Sequence, residues 1–183
     1  MVNQIIQDLY GKFSNLLSIS DNAFIEEGPT LLKHIFEEQG LEKLMAGIRY
    51  KYPQDGYTRT KLIGEKGKQV IRFMEWPFSY YLHPHEHHGR PCFEILIYGK
   101  LEVIDFKPVE VGEGRYKLDF FKRDVLNPGQ VGIIDPRITE VHSVRSLKKS
   151  GSLHVYPSDE NYTTAYIFIH KELYGKERFE LKD

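Results

Sequence analysis

Apolar residues near the start of the chain recur at intervals of three and four positions, which is the period of an amphipathic α-helix. The recurring positions are Ile5, Ile6, Leu9, Phe13, Leu16 and Leu17, followed by Phe24, Leu31, Leu32, Ile35 and Phe36. A helix start signal lies at Ser20-Asp21-Asn22, and a third, shorter pattern covers residues 41–48. The pattern predicts about three α-helices within residues 1–50, packed on the rest of the chain.

After Pro53 the chain changes to short runs rich in β-branched and aromatic residues, separated by Gly, Pro and Asp. The predicted strands are 58–63, 69–76, 80–87, 92–97, 100–106, 116–123, 130–134, 141–146, 152–156 and 164–170. Hairpin turns are predicted at 64–68 and 112–114, and a polar connection at 148–151. Because no helix separates these strands, we expect an antiparallel β-barrel over residues 55–170, within a single domain of residues 1–183.

Composition and charge narrow the class of protein. A chain of 183 residues with 40% hydrophobic residues buries a sufficient core without disulfides or a structural metal, so a bound metal would be functional. The formal net charge of -1 and the lack of a basic stripe disfavour nucleic acid. The first ten residues lack the pattern of a secretion signal, and no apolar run reaches the roughly eighteen residues of a membrane span. We expect a cytoplasmic monomer without a membrane partner.

The histidines are unevenly distributed, and four of the eight fall in the run HPHEHH that starts at His83. Side chains alternate between the two faces of a strand, so His83, His85 and His87 are predicted to share one face. Glu86 and His88 are then predicted to point to the other face. Two imidazoles on one face can bind one metal ion, which makes the run a candidate metal site.

A third ligand would have to come from another strand, and the candidates are His142 and His154. Three neutral imidazoles that leave open positions fit a catalytic metal better than a closed structural one. The ligand type is compatible with iron(II), zinc, nickel and manganese. Ser152, His154 and Tyr156 lie two residues apart, so they share one strand face and can form a row of hydrogen bonds.

The histidine run resembles the first motif of the cupin barrels, which are double-stranded β-helices of the jelly-roll type. In that motif a His-x-His pair is followed by an acidic ligand and then, after six further residues, by a glycine. Counting back from Gly99 places Cys92 at the acidic position and the pair at His85 and His87. Glu94 lies two residues too late to be the acidic ligand. A cysteine at this position is typical of one cupin family, the thiol dioxygenases.

Two further segments are similar to that family, and in particular to its cysteine dioxygenases. The stretch GYTRTKL places Tyr57 and Arg59 where the family holds the substrate carboxylate. The stretch SLHVY matches the Ser-x-His-x-Tyr motif of the family and includes Ser152 and His154. The resemblance covers about residues 55–160, and the family also has a helical N-terminal region.

The resemblance implies a set of metal and catalytic roles. Its register favours His142 over His154 as the third ligand, so His85, His87 and His142 would hold Fe(2+). Tyr156, positioned by Ser152 and His154, would stand near the bound dioxygen and the substrate carboxylate. A thioether would join Cys92 to Tyr156, as in the animal enzymes.

The implied activity is iron(II)-dependent oxidation of L-cysteine by O2 to cysteine sulfinic acid, a step of cysteine catabolism. One alternative is dioxygenation of 3-mercaptopropionate or another small thiol, and another is a metal-binding cupin without redox turnover. A guanidinium holds a carboxylate by two parallel hydrogen bonds, whereas Gln would suit a thiol acid that lacks the amino group. Arg59 therefore favours cysteine.

Overall fold

The computed structural model describes residues 4–46, 48, 56–159 and 162–181. Helix α1 spans Gln4–Ile19 and helix α2 spans Asp21–Met45. The Ser20 side chain accepts a hydrogen bond of 3.0 Å from the Ala23 N–H and so caps α2. Gly40, with φ of 71°, interrupts α2, so the helical region consists of three segments as predicted. The last segment ends at Met45, earlier than the predicted residue 48.

Nine strands follow in the described part of the chain. They are β1 (Thr58–Gly64), β2 (Val70–Trp76), β3 (Tyr81–Glu86), β4 (Cys92–Gly112), β5 (Arg115–Leu126), β6 (Val131–Ile134), β7 (Val141–Tyr156), β8 (Tyr162–His170) and β9 (Leu173–Glu180). Two expected breaks are absent. The predicted strands 92–97 and 100–106 form one continuous strand, β4, and the predicted strands 141–146 and 152–156 form another, β7. β9 lies beyond residue 170, where the sequence pattern predicted no strand.

The polar segment 148–151 is part of β7, and the prediction of a connection there was wrong. Its backbone continues the ladder with β4, where Lys148 is opposite Lys100 and Gly151 is opposite Tyr98. The Ser150 hydroxyl donates a 2.6 Å hydrogen bond to the Lys148 carbonyl, which gives that carbonyl a partner within the segment. The register shifts here, so the strand bends without ending.

All strand pairs are antiparallel, and the sheet closes on itself. β7 pairs with β4 along one edge, and with β3 and then β2 along the other. The ladder continues from β3 through β8, β9 and β5 back to β4, which completes a ring. The predicted fold class, a mainly β antiparallel barrel behind N-terminal helices, is confirmed. Neither described helix is both long and apolar enough to cross a membrane.

Aromatic side chains attach the helices to the barrel. Phe93 of β4 lies 4.7 Å from Phe24 of α2 and 5.4 Å from Phe13 of α1, measured between ring centroids. All three rings are almost completely buried. They belong to a core that joins both helices to β2, β4 and β7. Strand β4 therefore contributes one face to this core and the other face to the barrel interior.

We predict that Gly28→Ala lowers the free energy of unfolding by about 1–2 kcal/mol, because overpacking outweighs the gain in helix propensity. A methyl group on Gly28 would lie 2.5 Å from Cζ of the buried Phe93 ring. Gly11→Ala in α1 is the matched control, since apart from the local helix backbone no atom of the described residues lies within 4 Å of the added methyl group. It should raise the free energy of unfolding by about 0.5–1 kcal/mol. Urea denaturation measures both, and similar effects of the two changes would contradict this packing.

Candidate metal centre and its cavity

The strand register places the predicted site residues on one inner face of the barrel. Residues directly opposite each other on neighbouring strands point to the same side of a sheet. Arg59 of β1 is opposite Met74 of β2, which is opposite Ser152 of β7. Two residues further along β7, on the same face, His154 is opposite Glu94 of β4. Arg59, Met74, Glu94 and His154 line a cavity of about 440 Å³, and Ser152 lies behind its wall.

Three histidines meet at this cavity. His85 lies on β3, and His87 is the first residue after the end of that strand. His142 lies on β7 and is the register partner of His85. One ring nitrogen from each lies within 4.8 Å of the others. The imidazole centroids of His85 and His142 are 4.4 Å apart. The structure thus brings together the three histidines that the sequence pattern and resemblance singled out.

The chemistry of these nitrogens fits a metal ion. Nε2 of His87 and Nδ1 of His142 are buried and have no hydrogen-bond partner among the described residues. Nδ1 of His85 donates a 3.0 Å hydrogen bond to the His83 carbonyl, which leaves its Nε2 as the ligand atom. Burial lowers the pKa of His85 to about 4 and the pKa values of His87 and His142 well below the usual range. All three rings are therefore neutral, as metal ligands must be.

His83 does not join the cluster, and the prediction that it shares a face with His85 and His87 was wrong. The register between β3 and β7 shifts between Leu82 and His85, so simple alternation of side chains fails there. The His83 ring is exposed and lies edge-on to Tyr81 at 5.2 Å. The contribution of His83 to the histidine cluster is its backbone carbonyl, which accepts the hydrogen bond from Nδ1 of His85.

His154 forms a separate row of hydrogen bonds beside the histidine cluster. Its Nε2 lies 2.7 Å from the Ser152 hydroxyl, and its Nδ1 lies 3.4 Å from the Tyr156 hydroxyl. The Trp76 indole N–H donates a 2.8 Å hydrogen bond to the Ser152 oxygen. The alternative that His154 supplies the third nitrogen, with His142 structural, does not fit this arrangement. Trp76 is a further residue of the row, which the sequence motif did not include.

Cys92 and Tyr156 both line the buried part of the cavity. Cys92 is a free thiol, 3% exposed, and each of the two groups shifts the pKa of the other. Burial raises the pKa of the Cys92 thiol well above its usual range, and it does the same to the pKa of the Tyr156 phenol. Both groups are therefore neutral.

Arg59 brings a buried positive charge to the cavity. It is 7% exposed, and its Nη1 has no hydrogen-bond partner among the described residues. A buried guanidinium without a partner is costly, so this nitrogen marks a place for an anion. Next to it, Tyr57 stacks on Trp76 with ring centroids 4.8 Å apart, and burial raises the pKa of its phenol. The predicted pair Tyr57 and Arg59 therefore lines the cavity.

Two features of the site were not expected from the sequence. Oε2 of Glu94 lies 2.8 Å from Nε2 of His154 but has no hydrogen-bond partner among the described residues, so a buried carboxylate borders the row without joining it. The sequence held one signal for the position of Glu94. It lies two residues after Cys92, so both side chains point to the same face of the strand. The C-terminal segment also borders the cavity, through Phe179 and Leu181.

No model of a protein family matches the chain, and neither does any curated protein. Among solved structures, the chain is similar to an RmlC-like cupin from Shewanella frigidimarina, with 14% identity, a TM-score of 0.46, and coverage of 62% of this chain and 87% of that one. It is also similar to a cupin superfamily protein from Desulfitobacterium hafniense, with 14% identity, a TM-score of 0.45, and coverage of 60% and 84%. KdgF from Halomonas sp. has 15% identity, a TM-score of 0.44, and coverage of 62% and 89%. At such identities the likeness concerns the fold alone.

We predict that His142→Ala abolishes stoichiometric binding of a divalent metal, because two imidazoles remain where three nitrogens converge. His83→Ala is the matched control, since it removes an imidazole from the same histidine run but keeps the carbonyl that orients His85. Metal content after loading with iron(II) under anaerobic conditions measures both. Retention of metal by the first variant, or its loss from the second, would contradict the assignment.

Proposed function

We propose that this protein is an iron(II)-dependent thiol dioxygenase that oxidises L-cysteine with O2 to cysteine sulfinic acid. The observation that carries the proposal is the convergence of three neutral histidines on a cavity that is also lined by a buried guanidinium, a buried cysteine and a buried tyrosine. The reaction balances without a reductant, because both oxygen atoms join the sulfur, which gives four electrons to one O2. A closed structural metal site would have no need of such a cavity.

The histidine set supports a redox-active metal with free positions. His85, His87 and His142 would hold iron(II), which when bound supplies an electron to dioxygen and, by its charge, favours a thiolate ligand over a thiol. Because the three ligands are neutral, they leave the full charge of the metal to act on the substrate. His85 and His142 are buried, and a buried environment strengthens electrostatic contacts.

Arg59 supports an amino acid substrate. Its buried Nη1 is available to a carboxylate, and a guanidinium can hold both carboxylate oxygens in a fixed orientation. The stacked rings of Tyr57 and Trp76 restrict the space beside it. We infer that the carboxylate of cysteine binds here, which directs its sulfur and amine toward the histidines.

The row formed by Ser152, His154 and Tyr156 supports a role for the tyrosine in the reaction. The Tyr156 ring stacks on the His87 ring at 6.0 Å, so the phenol lies beside the proposed metal ligands. Nδ1 of His154 lies 3.4 Å from the Tyr156 hydroxyl and orients it by a hydrogen bond. We infer that this hydroxyl contacts the reacting substrate, while Ser152 and His154 fix its position.

We predict that the iron-loaded protein consumes oxygen with L-cysteine and forms sulfinate in equal amount. Arg59→Gln should raise the KM for cysteine about 10–100-fold, because a hydrogen bond to a charged group contributes about 1.5–3 kcal/mol. It should affect 3-mercaptopropionate less, because the family resemblance implies that Gln at this position suits a thiol acid without an amino group. Oxygen-electrode kinetics with both thiols measure these effects.

Arg115→Gln is the control, since this exposed arginine pairs with Glu113 at the tip of the β4–β5 hairpin. It should leave both rates unchanged. Oxygen uptake by the wild type with 3-mercaptopropionate only would overturn the cysteine assignment while keeping the site. No uptake with either thiol, in protein shown to hold iron, would leave a metal-binding barrel without redox turnover.

We predict that turnover with iron, cysteine and dioxygen joins Cys92 to Tyr156 by a thioether. The bond replaces the thiol hydrogen and one ring hydrogen, and O2 accepts both electrons and both protons as hydrogen peroxide. The chain should therefore lose the mass of two hydrogens, as measured by intact-protein mass spectrometry. Cys92→Ser should show no loss. An unchanged mass of the wild type after turnover, with peptides that contain unmodified Cys92, would refute the crosslink.

A further inference from the structure

Glu86 stands between His85 and His87 in the chain, and the proposed function gives it no role. Its side chain is 13% exposed. Oε2 of Glu86 accepts a 3.1 Å hydrogen bond from the Tyr166 hydroxyl and a 3.0 Å hydrogen bond from Nζ of Lys176. Tyr166 lies on β8 and Lys176 lies on β9. The carboxylate of Glu86 therefore joins the histidine run to the C-terminal hairpin.

The barrel holds the backbone of the histidine run at Glu86, one residue before His87. β3 ends at Glu86, and its ladder with β8 consists of two residue pairs. The Glu86 carbonyl accepts a 3.0 Å hydrogen bond from the Thr163 hydroxyl. His87 lies beyond the strand, where its carbonyl accepts a 3.2 Å hydrogen bond from the Arg90 N–H and begins a turn. The position of His87 thus depends on how firmly Glu86 is held.

Lys176 supplies the positive charge in this contact. Its Nζ lies 4.9 Å from the ring centroid of Tyr116 and 5.1 Å from that of Tyr166, and cation–π attraction holds the side chain in place. His88 lies farther from the carboxylate, with its Nδ1 at 3.6 Å from Oε1 of Glu86. Removal of one member of a largely buried ion pair leaves an uncompensated charge. Without Lys176, we expect Glu86 to turn toward solvent and to displace the backbone beside it.

We propose that Lys176 of β9 is a positioning residue for the metal centre, and that it acts through Glu86 to fix the spacing of His85 and His87. The proposal rests on the proposed function, because it takes these histidines as metal ligands. Groups that orient metal ligands from behind typically contribute about 10–100-fold to metal affinity. The C-terminal hairpin then strengthens metal binding without supplying a ligand.

The test is the affinity of the protein for cobalt(II), measured by competition with a chelator, because the visible absorption of this ion also reports its coordination. Lys176→Met should weaken the affinity about 10-fold or more and change the absorption, whereas Lys176→Arg keeps the charge and should retain most of the affinity. Arg178→Met is the matched control, since the Arg178 cation lies on the same strand over a different ring, that of Tyr162, at 3.9 Å. It should leave affinity and absorption unchanged.

A double-mutant cycle shows whether Lys176 acts through Glu86. Glu86→Gln should also weaken cobalt(II) binding, and adding Lys176→Met to it should weaken binding little further, because both changes remove the same contact. Losses that multiply would overturn the proposal, as would an unchanged affinity of Lys176→Met. If urea denaturation shows that Lys176→Met does not fold, Lys176→Gln takes its place, since it removes the charge but keeps a polar group.

The outcome is separable from thiol oxidation, because the measurement uses the metal alone. Weaker cobalt(II) binding by Lys176→Met would support the proposal even if the wild type oxidised no thiol. Equal binding by this variant and the wild type would overturn it even if the wild type were active. A wild type that binds no cobalt(II) would overturn both the metal centre and this proposal.

Discussion

The long antiparallel ladder between β4 and β7 is the interaction on which the rest of the structure depends. It runs from Phe93 opposite Val155 to Phe106 opposite Val141, and it passes through a bend in both strands. One end of β7 carries His142 of the candidate metal centre. The other end carries the row of Ser152, His154 and Tyr156. β4 faces that row from one side and the helices from the other. If the ladder shifted by one residue, both sets of side chains would leave the cavity.

Several polar atoms buried around this cavity have no hydrogen-bond partner among the described residues. A buried donor or acceptor without a partner costs about 1–3 kcal/mol, and more when it is charged. Nη1 of Arg59, Nε2 of His87 and Nδ1 of His142 are such atoms in the described structure. A metal ion and a carboxylate would satisfy all three, so the features that weaken the folded chain are those that suit it to the proposed ligands. Binding then stabilises the fold by mass action.

The sequence predicted those parts of the site that depend on local spacing. The His85-x-His87 pair and the two-residue spacing within 152–156 place side chains on a shared face without knowledge of the fold. The third histidine needed the pairing of β3 with β7, so the residues alone left His142 and His154 as alternatives. A resemblance to one family decided between them, and the geometry agrees.

Other features followed from contacts that local patterns do not encode. Segment 148–151 is polar, but the Ser150 hydroxyl and the ladder with β4 keep it within a strand. His83 falls out of register because of an irregularity in strand pairing. Glu94 had no visible partner in the sequence, since its contact with His154 joins residues far apart in the chain. Alternation is reliable within a regular strand and fails where pairing is irregular.

The most direct test of the central claim is to supply iron-loaded protein with L-cysteine and dioxygen labelled with the heavy oxygen isotope, in unlabelled water. If the three histidines and Arg59 form a dioxygenase site, the sulfinate product carries two labelled oxygen atoms from a single O2. A product with one label or none would show that water supplies oxygen. That result would contradict the account of this cavity as a thiol dioxygenase site.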